Sequence, residues 1–432
     1  MDVIPGAREV AGCRVCGATD WQEVLSLGLV PLANRFLDPA SSHGDEPYFP
    51  LRVLSCRACR LMSLDHVVDP EILYRDYLYI TPESETIRRH MRNVVDLFCE
   101  RFGPEAGDLV VEMGSNIGGQ LRLFAGKGMR VVGVDPARNL ADVAEANGIP
   151  TVPEFFSVDT AAAVRDSHGA AKLLLGRHVF AHIDDLAGVL DGAERLLVPD
   201  GVFAVEVPYV LDMLATTAFD TIYHEHLSYF SVGTLSVLAE RHRMRIVDVA
   251  RSSVHGGSVL VFMARRGSKW RSTAAVERLR GLEHDFGLYG DRVYRRFAED
   301  VMRVCEELPR IVRGIATEGG TVAGYGAPAK GNTILNVCGL GRDVVAFCSD
   351  TTPLKQGKLL PGTHVPVCSP QEARLRGPDH YLLLAWNYAE EILRKESGFL
   401  AGGGRFILPI PRPVLVDSAE EAVEALQSAV QL

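Results

Sequence analysis

Short apolar runs alternate with stretches of helical spacing from Leu109 to Ala264: Leu109-Val-Val-Glu-Met, Arg130-Val-Val-Gly-Val-Asp, Lys172-Leu-Leu-Leu, Gly201-Val-Phe-Ala-Val-Glu and Gly257-Ser-Val-Leu-Val-Phe. Runs that are apolar at successive positions belong to strands covered on both faces, so they predict an open, mostly parallel sheet between helices. After Glu318-Gly-Gly the pattern resumes with Thr321-Val-Ala-Gly-Tyr, Asp343-Val-Val-Ala-Phe, His380-Tyr-Leu-Leu-Leu-Ala-Trp and Arg405-Phe-Ile-Leu-Pro, which predicts a second, smaller α/β domain. Between the two, Trp270 to Thr317 is rich in Arg and Glu with spaced apolar positions, and reads as one or two connecting helices. The stretch before residue 75 shows neither period and reads as loop-rich. The expected division is 1–75, 76–265, 266–318 and 319–432.

Composition narrows the function. A chain of 432 residues with 47% hydrophobic content can bury several cores, and a net charge of -10 without a long Lys/Arg run argues against nucleic acid as a main partner. No apolar run reaches 18 residues and Met1 to Asp20 lack the order of a secretion signal, so no membrane association and a cytoplasmic location are expected. Four of the nine cysteines form two tight pairs, Cys13-Arg-Val-Cys16 and Cys56-Arg-Ala-Cys59. Four thiolates complete a tetrahedral zinc site with no open position, which predicts a structural metal.

Chemistry is concentrated in three segments. Val111-Glu-Met-Gly-Ser-Asn-Ile-Gly-Gly119 joins a strand to a helix, and Asp135 ends the next strand, where a carboxylate can accept ribose hydroxyls. NAD and S-adenosylmethionine both fit. The spacing of Gly114, Asn116 and Gly118 departs from the dinucleotide pattern, and Glu112 can counter a cationic donor, so the methyl donor is favoured over NAD or a bare turn. Asp220-Thr-Ile-Tyr-His-Glu-His-Leu-Ser-Tyr-Phe-Ser231 is too polar to read as a buried strand; His226 or His224 can take a proton from carbon beside a ketone, with Glu225 fixing the tautomer and Tyr223 holding an enolate oxygen. His182 follows another strand and can join them. His224 and His226 could instead bind a metal, but no third ligand is visible. Gly324-Tyr-Gly-Ala-Pro-Ala-Lys-Gly331 offers amides, a helix start and Lys330 to a diphosphate, with Asp350 and Lys355 nearby, or is a plain turn.

In the same order along the chain, the cysteine pairs, the Glu112 to Gly119 loop, Tyr223-His-Glu-His-Leu-Ser-Tyr-Phe-Ser, Val254-His-Gly-Gly-Ser, Tyr325-Gly-Ala-Pro-Ala-Lys-Gly and Asp350-Thr-Thr-Pro-Leu-Lys resemble the sugar C-methyltransferases of deoxysugar biosynthesis. The resemblance runs from Cys13 to Pro411. It implies a zinc module, a class I methyltransferase domain of Rossmann-like fold and a C-terminal Rossmann-like domain that helps hold a TDP-linked 4-keto deoxysugar, in a monomer or homodimer. It implies that His226 removes the C3 proton, with Glu225, Tyr223 and His182 in support and Tyr77 or Tyr79 covering the sugar. It extends the cofactor set to Pro136, Phe155 and His178, and the sugar-nucleotide set to His255, Gly256, Gly257, Tyr325, Gly326, Ala327, Lys330, Asn332, Asp350, Lys355 and Trp386. Relatives commonly carry Gly-Cys-Asn-Asp-Gly where this chain has Gly114-Ser-Asn-Ile-Gly118, so the acidic cofactor contact is absent. Reduction of the C4 ketone with NADPH, alone or as a second activity, is the competing expectation.

Overall fold

The computed structural model describes residues 6–41, 44, 46–74 and 84–427. Leu109–Met113, buried at every position, lies inside a seven-stranded sheet. Arg130–Val134 and Thr151–Val152 follow on one side; Ala171–Arg177, Leu197–Pro208, Ser258–Arg265 and Met244–Ser252 follow on the other. Neighbours run parallel except at Ser258–Arg265, which is antiparallel to both strands beside it. This is the class I methyltransferase arrangement that the resemblance implies. Because the chain leaves the first strand in one direction and returns on its other side, a crevice opens at the carboxyl end of Leu109–Met113.

A six-stranded sheet repeats the plan after residue 320, ordered Val367–Cys368, Cys348–Ser349, Val322–Tyr325, His380–Leu383, Arg405–Leu408 and Val414–Val416. Its first five strands are parallel and the last is antiparallel. The region before residue 75 corrects the loop-rich expectation. Trp21–Pro31 and Tyr48–Cys56 form a long antiparallel pair, joined by Met62–Leu64. Register shifts at Glu23/Leu25 and Ser26/Leu29 break the alternation of buried and exposed positions, which hides the strand from a period-two reading. The fourth strand of this sheet is Ser228–Tyr229, contributed by the polar segment expected not to be a buried strand.

Two helices, Ala274–Phe286 and Arg292–Thr317, link the large domains. From the first, the fully buried Glu283 accepts the Tyr209 and Tyr289 hydroxyls at 2.8 Å and the amides of Val232 and Gly233 at 2.5 and 2.9 Å. The carboxylate thus receives orphan donors at the start of helix Val232–Arg241, directly after the polar segment. No helix among the described residues is long and apolar enough to cross a membrane. Replacing Glu283 with alanine leaves buried donors unpaired, and about 3 kcal/mol of stability is expected to be lost in a urea titration; an unchanged midpoint would show the cap to be dispensable.

Candidate active site

Two tight turns carry the cysteines. Gly17 N–H donates to Cys13 O and Arg60 N–H to Cys56 O, both at 2.8 Å, with Gly17 and Arg60 in the left-handed region. The turns face each other: Cys13 and Cys59 Sγ are 3.4 Å apart, Cys16 and Cys56 Sγ 3.5 Å, and all four lie within 4.8 Å of one another. A disulfide needs about 2.05 Å between sulfurs. Thiolates around zinc sit about 3.8 Å apart, given bonds of about 2.3 Å, and the cluster matches the second geometry. Its buried surroundings and position between sheet strands make it a clamp rather than a reaction centre.

The first glycine loop is held open by steric need. Gly114 and Gly118 have φ of +65° and +75°, and a Cβ on either would lie 2.8 Å from a side-chain atom, of Val179 or of Ile149. Asp135 grips the loop: Asn116 N–H donates to Oδ2 at 2.7 Å and Ala137 N–H to Oδ1 at 3.0 Å. A cavity lined by Met91, Glu112, Asn116, Ile117, Gln120 and Arg177 opens beside it. Glu112 Oε1 is 3.7 Å from Arg177 Nε, whereas Oε2 is buried without a hydrogen-bond partner. Burial, with nearby Asp135 and against Arg177, pushes this carboxyl up to about 8. Pro136 follows Asp135 at the strand end. His178 turns instead toward Glu206 Oε2, at 3.7 Å, and packs edge-on against His255 at 4.3 Å.

The segment from 219 to 231 is buried throughout except at Tyr223, which is half-buried. His226 Nδ1 is 2.7 Å from Thr221 O, and a carbonyl only accepts, so this nitrogen carries the proton. Nε2 therefore has the lone pair, and it receives the Tyr223 hydroxyl at 2.8 Å. The tautomer is set by Thr221 O rather than by Glu225, whose Oε1 accepts Asn34 Nδ2 at 2.6 Å. Burial, reinforced by His182, holds His226 well below the ordinary histidine range, so its imidazole is neutral. The His182 ring lies 5.0 Å from His226 and stacks on Tyr74 at 6.1 Å, and Tyr74 meets the edge of the exposed Phe155 at 6.5 Å. Burial lowers His182 to about 4. His224 departs from the expectation of a shared site: its Nε2 faces Phe49 O and Pro50 O at 3.3 and 3.2 Å, tying the segment to the N-terminal sheet. Tyr77 and Tyr79 lie outside the described residues.

The second glycine loop uses the same grip with a different result. Asp350 accepts Ala327 N–H at 2.7 Å and Thr352 N–H at 2.8 Å, Gly326 N–H goes to Ser349 O at 2.8 Å, and Lys355 Nζ donates to Ala327 O at 2.9 Å. The row of free amides expected for a diphosphate is thus already engaged at Gly326 and Ala327. Tyr325 donates to Glu396 at 2.7 Å inside an aromatic cluster, and Asn332 Nδ2 reaches Ala33 O at 3.4 Å. Lys330 instead crosses to Asp220, 3.8 Å away. Trp386 Nε1 donates to the same carboxylate at 2.6 Å. Gly256 and Gly257 leave room for this junction, since a Cβ would lie 2.9 Å from Trp386 or 2.5 Å from Asp212. Sequence reasoning missed Asn34, Tyr74, His90 and Glu206. Only Glu206 gave a usable sign, a carboxylate closing an apolar strand as Glu112 does; there His90 Nε2 lies 2.7 Å from its Oε1, and contacts with His90 and His178 outweigh burial to draw it down to about 2.

Family models match three stretches: a zinc binding domain over residues 13–74, a methyltransferase domain over 87–248 and a C-methyltransferase C-terminal domain over 253–411. The C-methyltransferase NovU of Streptomyces niveus is 49% identical over 416 residues, spanning 96% of this chain and 99% of that protein. The chain belongs to the C-methyltransferase family. Among solved structures, the magnesium protoporphyrin IX methyltransferase ChlM of Synechocystis PCC 6803 with bound SAH is 13% identical, covering 44% of this chain and 90% of its own at a TM-score of 0.35. A SAM dependent methyltransferase from Archaeoglobus fulgidus is also 13% identical, covering 41% and 93% at a TM-score of 0.35.

This C-methyltransferase uses S-adenosylmethionine and a structural zinc, and its residues suit both. The unpartnered Glu112 Oε2 and the glycine-lined cradle suit a cationic donor; the four sulfurs suit the metal. Metal analysis is expected to find one zinc per chain, and Cys56→Ser to lose it together with thermal stability and activity; full activity without zinc would contradict the clamp. A positive ligand beside Glu112 favours its ionised form, so binding expels a proton and affinity falls as pH drops through about 8. Calorimetry should find the donor bound about 20-fold more weakly at pH 6.5 than at pH 8.5, with a flatter profile in Glu112→Gln. An identical slope in that variant would remove Glu112 from the site.

Proposed function

We propose that this methyltransferase adds a methyl group to C3 of a TDP-linked 4-keto deoxysugar through an enolate, with His226 as general base. The observation that carries the reading is the state of His226: a neutral ring with its proton fixed on Nδ1 by Thr221 O and its lone pair on Nε2. A base must be unprotonated to act, and a hydrogen on carbon beside a ketone is the weak acid such a base can address. As the C–H bond breaks, the proton passes to Nε2 and the electron pair enters the enolate. Tyr223, already hydrogen-bonded to Nε2, must turn from it, and its hydroxyl is then free to meet the sugar. S-adenosylmethionine supplies an electrophilic methyl group on a positively charged sulfur. The enolate carbon forms the new C–C bond, and the donor's C–S bond breaks with its electrons left on sulfur.

The roles of the other side chains follow from their places. His182, stacked on Tyr74 and 5.0 Å from His226, walls the space against water. Glu225 and Asn34 pin the loop from the N-terminal side. The sugar class rests on the resemblance of the Tyr223 to Ser231 and Tyr325 to Gly331 segments to sugar C-methyltransferases, and on the junction of both large domains beside the base. The test is exchange of the C3 hydrogen of TDP-4-keto-6-deoxyglucose in deuterated water without methyl donor. Wild type is expected to exchange it, and His226→Asn to slow both exchange and methylation by at least about 100-fold. Full activity in that variant would sink the assignment.

A further inference from the structure

Lys330 reaches from the C-terminal domain into the methyltransferase domain beside Trp386 and Thr333. It stands at the start of helix Ala329–Val337, mostly buried, with Nζ 4.6 Å over the Trp386 ring and donating to His255 O at 3.4 Å. Its nearest carboxylate is Asp220, fully buried, at 3.8 Å. That carboxylate is already engaged, because Trp386 Nε1 donates to its Oδ2 at 2.6 Å. An ammonium has three N–H donors. With one long bond to a carbonyl and no close contact to its counter-charge, Lys330 keeps donors for a ligand.

The ligand is indicated by what lies beside it. Asp220 directly precedes Thr221, whose carbonyl sets the His226 tautomer, and Thr333 Oγ1 of the same helix reaches Ile222 O at 3.4 Å. The Lys330 charge is felt at both His226 and His255. By contrast, the amides of Gly326 and Ala327, which a diphosphate would need beside this lysine, are bound within their own domain. We propose that Lys330 is a catalytic residue, whose ammonium donates to the C4 oxygen of the substrate and stabilises the negative charge that gathers there as His226 removes the C3 proton. This inference rests on the enolate reading above. Nothing is transferred from Lys330: the proton goes from C3 to Nε2, the electron pair moves into the C3–C4 bond, and the charge on oxygen is met by a hydrogen bond from a fixed cation. Burial weakens His226 as a base and strengthens an ion-to-oxygen contact, so the site gains on the acceptor side what it lacks on the base side.

The test compares wild type, Lys330→Met and Lys330→Arg, using TDP-4-keto-6-deoxyglucose in deuterated water without methyl donor, with calorimetry of its binding. Loss of one such donor is worth about 100- to 1000-fold in rate. Lys330→Met is expected to lose that much exchange at saturating substrate while its Kd changes by less than about threefold, and Lys330→Arg to keep an intermediate rate. Wild-type exchange in saturated Lys330→Met, whether or not Kd weakens, would overturn the inference and leave the enolate reading standing. A wild type that methylates the probe yet exchanges no hydrogen would overturn both. Should Lys330→Met fail to fold because Asp220 is left unpaired, Lys330→Met/Asp220→Asn removes both charges, and the same loss of exchange is required of it.

Discussion

A polar stretch can be buried only where its backbone and side chains find partners, and the stretch from 219 to 231 finds them on every side. Ser228 and Tyr229 pair with Ser63 and Met62 of the N-terminal sheet. Asn34 holds Glu225, Glu283 of the connector caps the helix that follows, and Lys330 and Thr333 come from the last domain. The zinc cluster closes the turns that frame the sheet. His226 is therefore placed by contributions from the whole chain, and no single domain could hold it.

The two large sheets use one device twice. In each, an acid at the end of the second strand, Asp135 or Asp350, accepts amides from the glycine loop after the first. What differs is the neighbouring charge. Beside the first loop, Glu112 keeps an unpartnered oxygen toward an open cavity. Beside the second, Lys355 fills the corresponding space by bonding Ala327 O. Similar strand-to-helix geometry thus yields a binding cradle in one domain and a packed corner in the other, with Lys330 released to face across the junction.

Much of this was legible in the sequence because it depends on local pattern. Apolar runs marked the strands of both sheets, paired cysteines marked the metal, and glycines marked turns that a Cβ would obstruct. The N-terminal sheet was not legible, since its bulges break the period and its fourth strand comes from more than 160 residues away. Histidines were distinguished poorly: His224 and His226 are two positions apart, yet one reaches backbone carbonyls of a distant strand and the other faces Tyr223. Asn34 left no trace, because its partner is chosen by tertiary contact. The amides of the second loop looked free only because the carboxylate and carbonyl that occupy them lie on a following strand.

The links between the first and last parts of the chain bear on its synthesis. Asn332 meets Ala33 across 299 positions and Trp386 meets Asp220 across 166. A nascent polypeptide that has finished its seven-stranded sheet still lacks Trp386, so the pocket matures only after the strand His380–Leu383 and the indole that follows it have left the ribosome. Premature termination there yields a product with its cysteine clamp and donor cradle both encoded, but with Asp220 stripped of the indole that anchors it.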